Sequence, residues 1–426
     1  MFPNGLSTGR MLVTRLRVVI VLGTRPEAIK MAPVYLRLAA DQRTEVRLLV
    51  TAQHRQMLDQ VLSVFGIKPD LDLDLMRPDQ RLHQISAGVL AAVGKALEEM
   101  APDVVLVHGD TSTCLFAALA AFYRRIPVGH VEAGLRTYDL QAPWPEEMNR
   151  RLTDPICRWC FAPTLRAVEN LRAEAIADPH IFLTGNTAVD ALLSVRAMAC
   201  RSKPVIDALP AAALDGRRLI LVTGHRRESF GKPLEQFCLG LGDLVRAHPD
   251  TVIVYPVHLN PNVQRPVHRI LGDTERVYLI PPLDYLPFVY LMERSYLIIT
   301  DSGGIQEEAP TLRKPVLVTR ETTERPEAVE TGLAKVVGTS RERILAEASR
   351  LLTDPQAYAA MARGGNPYGD GQAAGRIVDI LCETALCEKT GLRDPHLRVA
   401  APSEPSSQQN AAPQASNSSS GRQRAT

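Results

Sequence analysis

A repeat of short apolar runs rich in Val, Ile and Leu dominates this chain, each run separated from the next by enough residues for one helix. Strands joined that way pair in parallel, because a parallel pair needs a crossover of about a dozen residues or more. Strands are predicted over 18–22, 46–50, 104–107 and 128–131, then over 219–222, 252–255, 277–280, 297–300 and 316–319. Between the two series lies an aperiodic stretch with Lys203-Pro204 and Leu209-Pro210, which sets a boundary. The chain is read as α/β, with two Rossmann-like doubly wound parallel-sheet domains facing a central cleft. The expected organisation is a flexible extension over 1–15, a first domain over 16–190 and a second over 205–365. A helix over 366–390 would pack back on the first domain, followed by a disordered polar tail over 391–426.

At 426 residues the chain exceeds what one hydrophobic core usually serves, in keeping with two domains. Its 45% hydrophobic and 23% charged residues exclude a wholly disordered chain and a membrane protein. Lys and Arg number 49 against 47 Asp and Glu, so the formal charge is only +2. No global field draws the protein to nucleic acid or to a membrane, and neither is expected as a partner. The apolar run 18–22 is too short for a signal peptide or a spanning helix, which points to the cytoplasm. The seven cysteines make no disulfide framework. The one CxxC, Cys157 and Cys160, lacks a second pair or a spaced His for zinc and is assigned to buried packing, so no metal site is expected. His83, His130 and His180 are read as ordinary core or surface residues.

In doubly wound sheets ligands sit beyond the carboxyl ends of the strands, so the residues just past each strand carry the chemistry. After the first comes Gly23-Thr24-Arg25-Pro26-Glu27, with Lys30 a turn later. Free N–H groups and two cations at a helix start make an anion site, or equally a turn with solvated charges. The next motifs place Asp110 and Glu132 after neighbouring strands, and the Pro-braced loop 143–150 adds Glu146. Three carboxylates on one rim suit acid and base chemistry. Each also has a structural alternative: Asp110 can cap a helix, and Glu132 or Glu146 can pair with Arg136 or Arg150. In the second series, Gly224-His225-Arg226 comes after one strand and His258 after another, while Arg325 lies beyond the last. Asp301-Ser302-Gly303-Gly304 opens a helix whose N–H groups can cradle a diphosphate, and Glu308 can accept both hydroxyls of a ribose.

Together, Gly23-Thr-Arg-Pro-Glu, His108-Gly-Asp-Thr, His130-Val-Glu-Ala-Gly-Leu-Arg-Thr, Pro145-Glu-Glu-Met-Asn-Arg, Thr223-Gly-His-Arg-Arg-Glu, Asp301-Ser-Gly-Gly-Ile-Gln-Glu-Glu and Glu324-Arg-Pro-Glu stand in a telling order. That order resembles the non-hydrolysing UDP-N-acetylglucosamine 2-epimerase family over residues 17–385. The resemblance implies the glycosyltransferase-B arrangement, usually as a homodimer, with UDP bound by the second domain. It implies an isomerase that interconverts UDP-GlcNAc and UDP-ManNAc, without metal, nicotinamide or other cofactor, to supply ManNAc-type sugars for bacterial surface polysaccharide. The implied catalytic group is Asp110, Glu132, Glu146 and His225. UDP would be held by Arg25, Lys30, Ser302, Gly303, Gly304, Glu308 and Arg325, with Phe288 near the uracil. Gln53, His54, Gln80, Arg226 and His258 match a second, activating UDP-GlcNAc site of some bacterial members, although Asp79 stands where those members carry Arg.

The C2 proton of UDP-GlcNAc is not beside a carbonyl, so the leaving group must assist its removal. Axial UDP and axial H2 are antiperiplanar in the α-anomer, which favours elimination to 2-acetamidoglucal and UDP. Reprotonation from the opposite face and return of UDP give the epimer. Cations and N–H groups would stabilise the charge growing on UDP, and two faces call for two acid/base groups. Competing expectations are a glycosyltransferase-B-fold enzyme on another UDP-sugar, a hydrolysing relative that releases free ManNAc, and a nucleotide-sugar-binding regulator without chemistry.

Overall fold

The computed structural model describes residues 15–51, 55–77, 79–323 and 325–390. The expected flexible extension, apart from Arg15, the polar tail, and Gln53 and His54 lie outside the described residues. The first sheet holds β1 (Leu16–Leu22), β2 (Thr44–Val50), β3 (Leu71–Asp72), β4 (Val104–His108), β5 (Val128–Val131), β6 (Trp159–Ala162) and β7 (Ile181–Leu183). The second holds β8 (Arg218–Thr223), β9 (Thr251–Pro256), β10 (Val277–Ile280), β11 (Leu297–Thr300), β12 (Val316–Val318) and β13 (Ala334–Val336). Every pairing is parallel, in the orders β3-β2-β1-β4-β5-β6-β7 and β10-β9-β8-β11-β12-β13.

All the predicted strands form, but β3, β6, β7 and β13 were not anticipated. They are two to four residues long, too short for a periodic signal, and they become strands by pairing with a sheet already formed. At the centre of the first sheet, Val18, Val19, Ile20, Val21, Val104, Val105, Leu106 and Val107 are each at most 2% exposed. Helices therefore cover both faces, as parallel sheets require.

Each sheet reverses its order once, between β1 and β4 and between β8 and β11. A crevice opens at such a switch point, beyond the carboxyl ends of the strands. Gly23 and Gly109 thus stand at one crevice, and Gly224 and Ser302 at the other. The helix Ala373–Thr390 returns to the first sheet and lies on the helix Arg25–Ala40, with Ile377 and Leu381 fully buried. The N–H groups of Ala373 and Ala374 donate to the Asp190 carboxylate at 3.2 and 2.9 Å, and the Trp159 indole donates to Thr384 at 2.8 Å.

Among the described residues, no helix is long and apolar enough to cross a membrane, and no cluster of His, Cys, Asp or Glu could hold a metal. Cys157 and Cys160 are buried free thiols. Gly134, just past β5, has φ of +85°, and a Cβ there would fall 2.4 Å from the Ala167 carbonyl oxygen. Gly134→Ala should cost about 2–4 kcal/mol through backbone strain and clash, read as a lower urea midpoint.

Candidate active site

Lys30 sits one turn into the helix after β1, and its ammonium donates to Glu132 at the end of β5. The same ammonium lies 3.1 Å from Oε2 of Glu307, in the helix Gly303–Glu308 after β11. Arg325 donates through Nε to Glu307, and Asn186 Nδ2 donates to Glu132 at 3.3 Å and to Glu307 at 3.1 Å. The two sheets thus meet at a nearly buried cluster of two cations and two carboxylates. Glu307 is 1% exposed there and Lys30 13%. Burial works to raise the Glu132 carboxyl, but the cations of Lys30 and Arg325 hold it down, at about 2. Burial works to lower Lys30, yet Glu132 and Glu307 hold it above its ordinary value.

Of the three predicted carboxylates, Glu132 belongs to this cluster and Asp110 stands just past the neighbouring strand β4. Glu132 adopts φ of +69°, the left-handed region, and its carboxylate overhangs the Gly109 turn that precedes Asp110. Asp110 accepts from Arg150 at 2.8 Å, and its carbonyl accepts from Asn149 at 2.8 Å. Both partners belong to the helix Glu146–Thr153, so the element that presents Glu146 is clamped onto Asp110. Glu147 is buried on backbone N–H groups of Thr137 and Tyr138, whereas the Glu146 carboxylate has no partner among the described residues.

Several expectations need correction. Thr111, not Asp110, caps the next helix, accepting from the Cys114 N–H at 3.0 Å. Arg136 is held by Asp154 and Glu174, which leaves Glu132 to Lys30. The N–H groups of Gly23 and Thr24 are not free for an anion: Glu27 Oε2 accepts both, at 3.0 and 2.6 Å, because Glu at the third helical position reaches back to the cap. Burial pushes Glu27 up to about 7 despite these donors. Gly23 is set by packing, since a Cβ would fall 2.2 Å from Thr113 Oγ1. What remains for an anion at this turn is the exposed Arg25. His130 is a core residue, as expected, and it has a structural task there. It is fully buried, bonded through Nδ1 to Asp154 at 2.6 Å and through Nε2 to the Gly109 carbonyl at 2.7 Å, bracing the turn before Asp110.

On the second sheet, Asp301 accepts the N–H groups of His225 and Arg226 at 2.6 and 2.8 Å and lies 3.3 Å from His225 Nδ1. His258 stacks on the His225 ring with centroids 5.5 Å apart. Burial lowers the His225 pKa, against the pull of Asp301. A Cβ on Gly303 would meet only Arg325, at 3.9 Å, and one on Gly304 only Ser302 Oγ, at 4.0 Å, and neither residue has positive φ. Neither packing nor backbone demands glycine here, so the space suits a ligand approaching the chain closely. Glu308, pushed up to about 7 by burial, accepts from the Tyr285 hydroxyl at 2.8 Å. Tyr285, Asp284 and Arg25 line a cleft of about 450 Å3 with Gln60 and Ser63 from the helix Arg55–Val64. Phe288 is one turn further along the helix Tyr285–Arg294 and packs on the core. Gln80, from the other implied site, accepts from the Arg77 N–H at 2.7 Å.

Sequence reasoning gave no role to Glu307, Asn186 or His108, and placed Tyr285 only within the nucleotide-contacting loop 282–288 that the resemblance implies. Glu307 was legible as a second acid beside Glu308 at a strand-end helix. Asn186 comes after β7, a strand without a periodic signal.

Two Rossmann-like parallel-sheet lobes, with an acid rim on one and a glycine-opened helix on the other, define the glycosyltransferase-B architecture. The family model for UDP-N-acetylglucosamine 2-epimerase matches residues 36–382. The UDP-N-acetylglucosamine 2-epimerase of Escherichia coli K12 is 56% identical over 369 residues, 86% of this chain and 98% of that relative. The crystal structure of UDP-GlcNAc 2-epimerase from Neisseria meningitidis bound to UDP-GlcNAc has a TM-score of 0.79 at 47% identity, covering 86% of this chain and 99% of that one. The enzyme of Methanocaldococcus jannaschii, solved in complex with UDP-GlcNAc and UDP, has a TM-score of 0.71 at 33% identity, covering 86% and 99%. The chain belongs to the UDP-N-acetylglucosamine 2-epimerase family and is an isomerase.

The depressed Glu132 makes a pH prediction. Unfolded, this carboxyl protonates near 4.5; folded, near 2. Its contribution to stability is complete above the unfolded value and is lost as pH falls through the folded one. Thermal midpoints measured from pH 5 down to 2 should fall less steeply in Glu132→Gln than in the parent.

Proposed function

We propose that this chain interconverts UDP-GlcNAc and UDP-ManNAc by inversion at C2, without net hydrolysis. The observation that carries this reading is the convergence of Glu132 and the Ser302-Gly303-Gly304 helix start on one lysine, Lys30, through Glu307. It sets a base and an anion site together across one cleft. The UDP-GlcNAc bound in the Neisseria and Methanocaldococcus relatives supports a UDP-sugar as ligand.

One of Asp110, Glu132 and Glu146 takes H2 while the C1–O bond breaks, giving 2-acetamidoglucal and UDP. A second delivers a proton to the opposite face, and the UDP oxygen returns to C1. Arg25, Lys30, Arg325, the Ser302-Gly303-Gly304 helix start and His225, oriented by Asp301, stabilise the charge on UDP. Glu308 accepts the ribose hydroxyls, with Phe288 toward the uracil. The working unit is a cytoplasmic homodimer that supplies ManNAc-type sugars for surface polysaccharide.

Proton NMR of UDP-GlcNAc with the protein in heavy water tests the reaction. Loss of the H2 signal as UDP-ManNAc forms is expected; intact substrate without exchange sinks the reading. Accumulation of free ManNAc would instead mark a hydrolysing enzyme. Glu132→Gln should lower kcat by about 100-fold or more, the usual range for removing an acid/base group.

A further inference from the structure

His108 ends β4 and is 4% exposed, yet neither of its ring nitrogens has a hydrogen-bond partner. An unpaired buried polar group destabilises a fold, and such groups are few in native proteins. Packing therefore gives no reason for a histidine here. Its Nε2 lies 3.8 Å from Glu132 Oε2, beyond hydrogen-bond length by less than an ångström. That oxygen already accepts from Lys30 and, at 3.3 Å, from Asn186. The titratable groups that bear on the ring are Glu132, Lys30 and His130. Burial, helped by Lys30 and His130, drives the imidazole down to about 3 despite Glu132. The ring is neutral at working pH and has one N–H to donate.

We propose that His108 is a positioning residue for Glu132: when Lys30 turns to the departing diphosphate, the His108 Nε2–H takes its place on Glu132 Oε2. The exchange replaces a cation with a neutral donor. A carboxylate gripped by an ammonium is a weak base, whereas one held by a neutral N–H keeps its aim and regains proton affinity. The histidine gives up no proton and touches no substrate. This inference rests on the acid/base role proposed for Glu132.

The test compares kcat, KM and thermal midpoint for UDP-GlcNAc epimerisation in His108→Leu, His108→Gln and His108→Asn. In His108→Leu, kcat should fall roughly 10- to 100-fold, as for loss of one hydrogen bond to a charged group, with KM within about twofold. The midpoint should be equal or higher, because an unpaired buried polar group has gone. His108→Gln, with an amide nitrogen where Nε2 stood, should keep most of kcat. His108→Asn, one methylene short, should behave like His108→Leu and repeats the test if Leu does not fit. Unchanged kcat in the Leu and Asn variants overturns the proposal, as does equal loss in all three or loss that tracks a lowered midpoint. Glu132→Gln separates the two levels. If it still turns over, the role of Glu132 fails and this inference with it; if it is inactive while the His108 variants are normal, only the role of His108 fails.

Discussion

One ammonium, that of Lys30, is shared by a carboxylate from each sheet, and the arrangement of the centre depends on that sharing. Burying any one of these charges alone would be strongly unfavourable, but Lys30, Glu132, Glu307 and Arg325 together sum to zero and are mutually hydrogen-bonded. Removing one member leaves another uncompensated, so the cluster behaves as a unit. Glu132 itself stands in a left-handed backbone conformation, with its N–H and that of Ala133 both donating to the Phe161 carbonyl at 3.1 Å.

Around the cluster, the two sheets divide the chemistry according to the residues at the carboxyl ends of their central strands. The first supplies carboxylates on well-anchored turns: Asp110 clamped by Arg150 and Asn149, and the Gly109 turn braced by His130. The second supplies donors and space, with Asp301 holding the turn of His225 and two glycines left bare by their neighbours. Placing these groups on strand ends and helix starts, rather than on long loops, fixes them to the rigid part of the fold.

The fold class was legible because nine strands carry short apolar runs at helix-length intervals, and the motif positions came from the rule that chemistry lies past strand ends. Asp110, Glu132, His225 and Ser302 to Gly304 were singled out as candidates that way, and Glu146 from the Pro-braced loop. Partner choice was not legible. Glu27 takes the N–H groups expected for an anion, and Lys30 goes to carboxylates, because both outcomes depend on residues distant in sequence or on a helix-capping competition. Asn186 was missed for the same reason, since it matters through the glutamate it meets across the cleft.

The helix Ala373–Thr390 starts on Asp190 and lies against the first sheet, so the chain passes between the two lobes twice, once after β7 and once after β13. Two covalent crossings define an axis, as two hinges on a door do. Any opening of the cleft would have to bend both crossings together, which disfavours twisting one lobe over the other. A closure about that line would return Glu307 to the same lysine, so the route of the chain itself favours reassembly of the central charges in register.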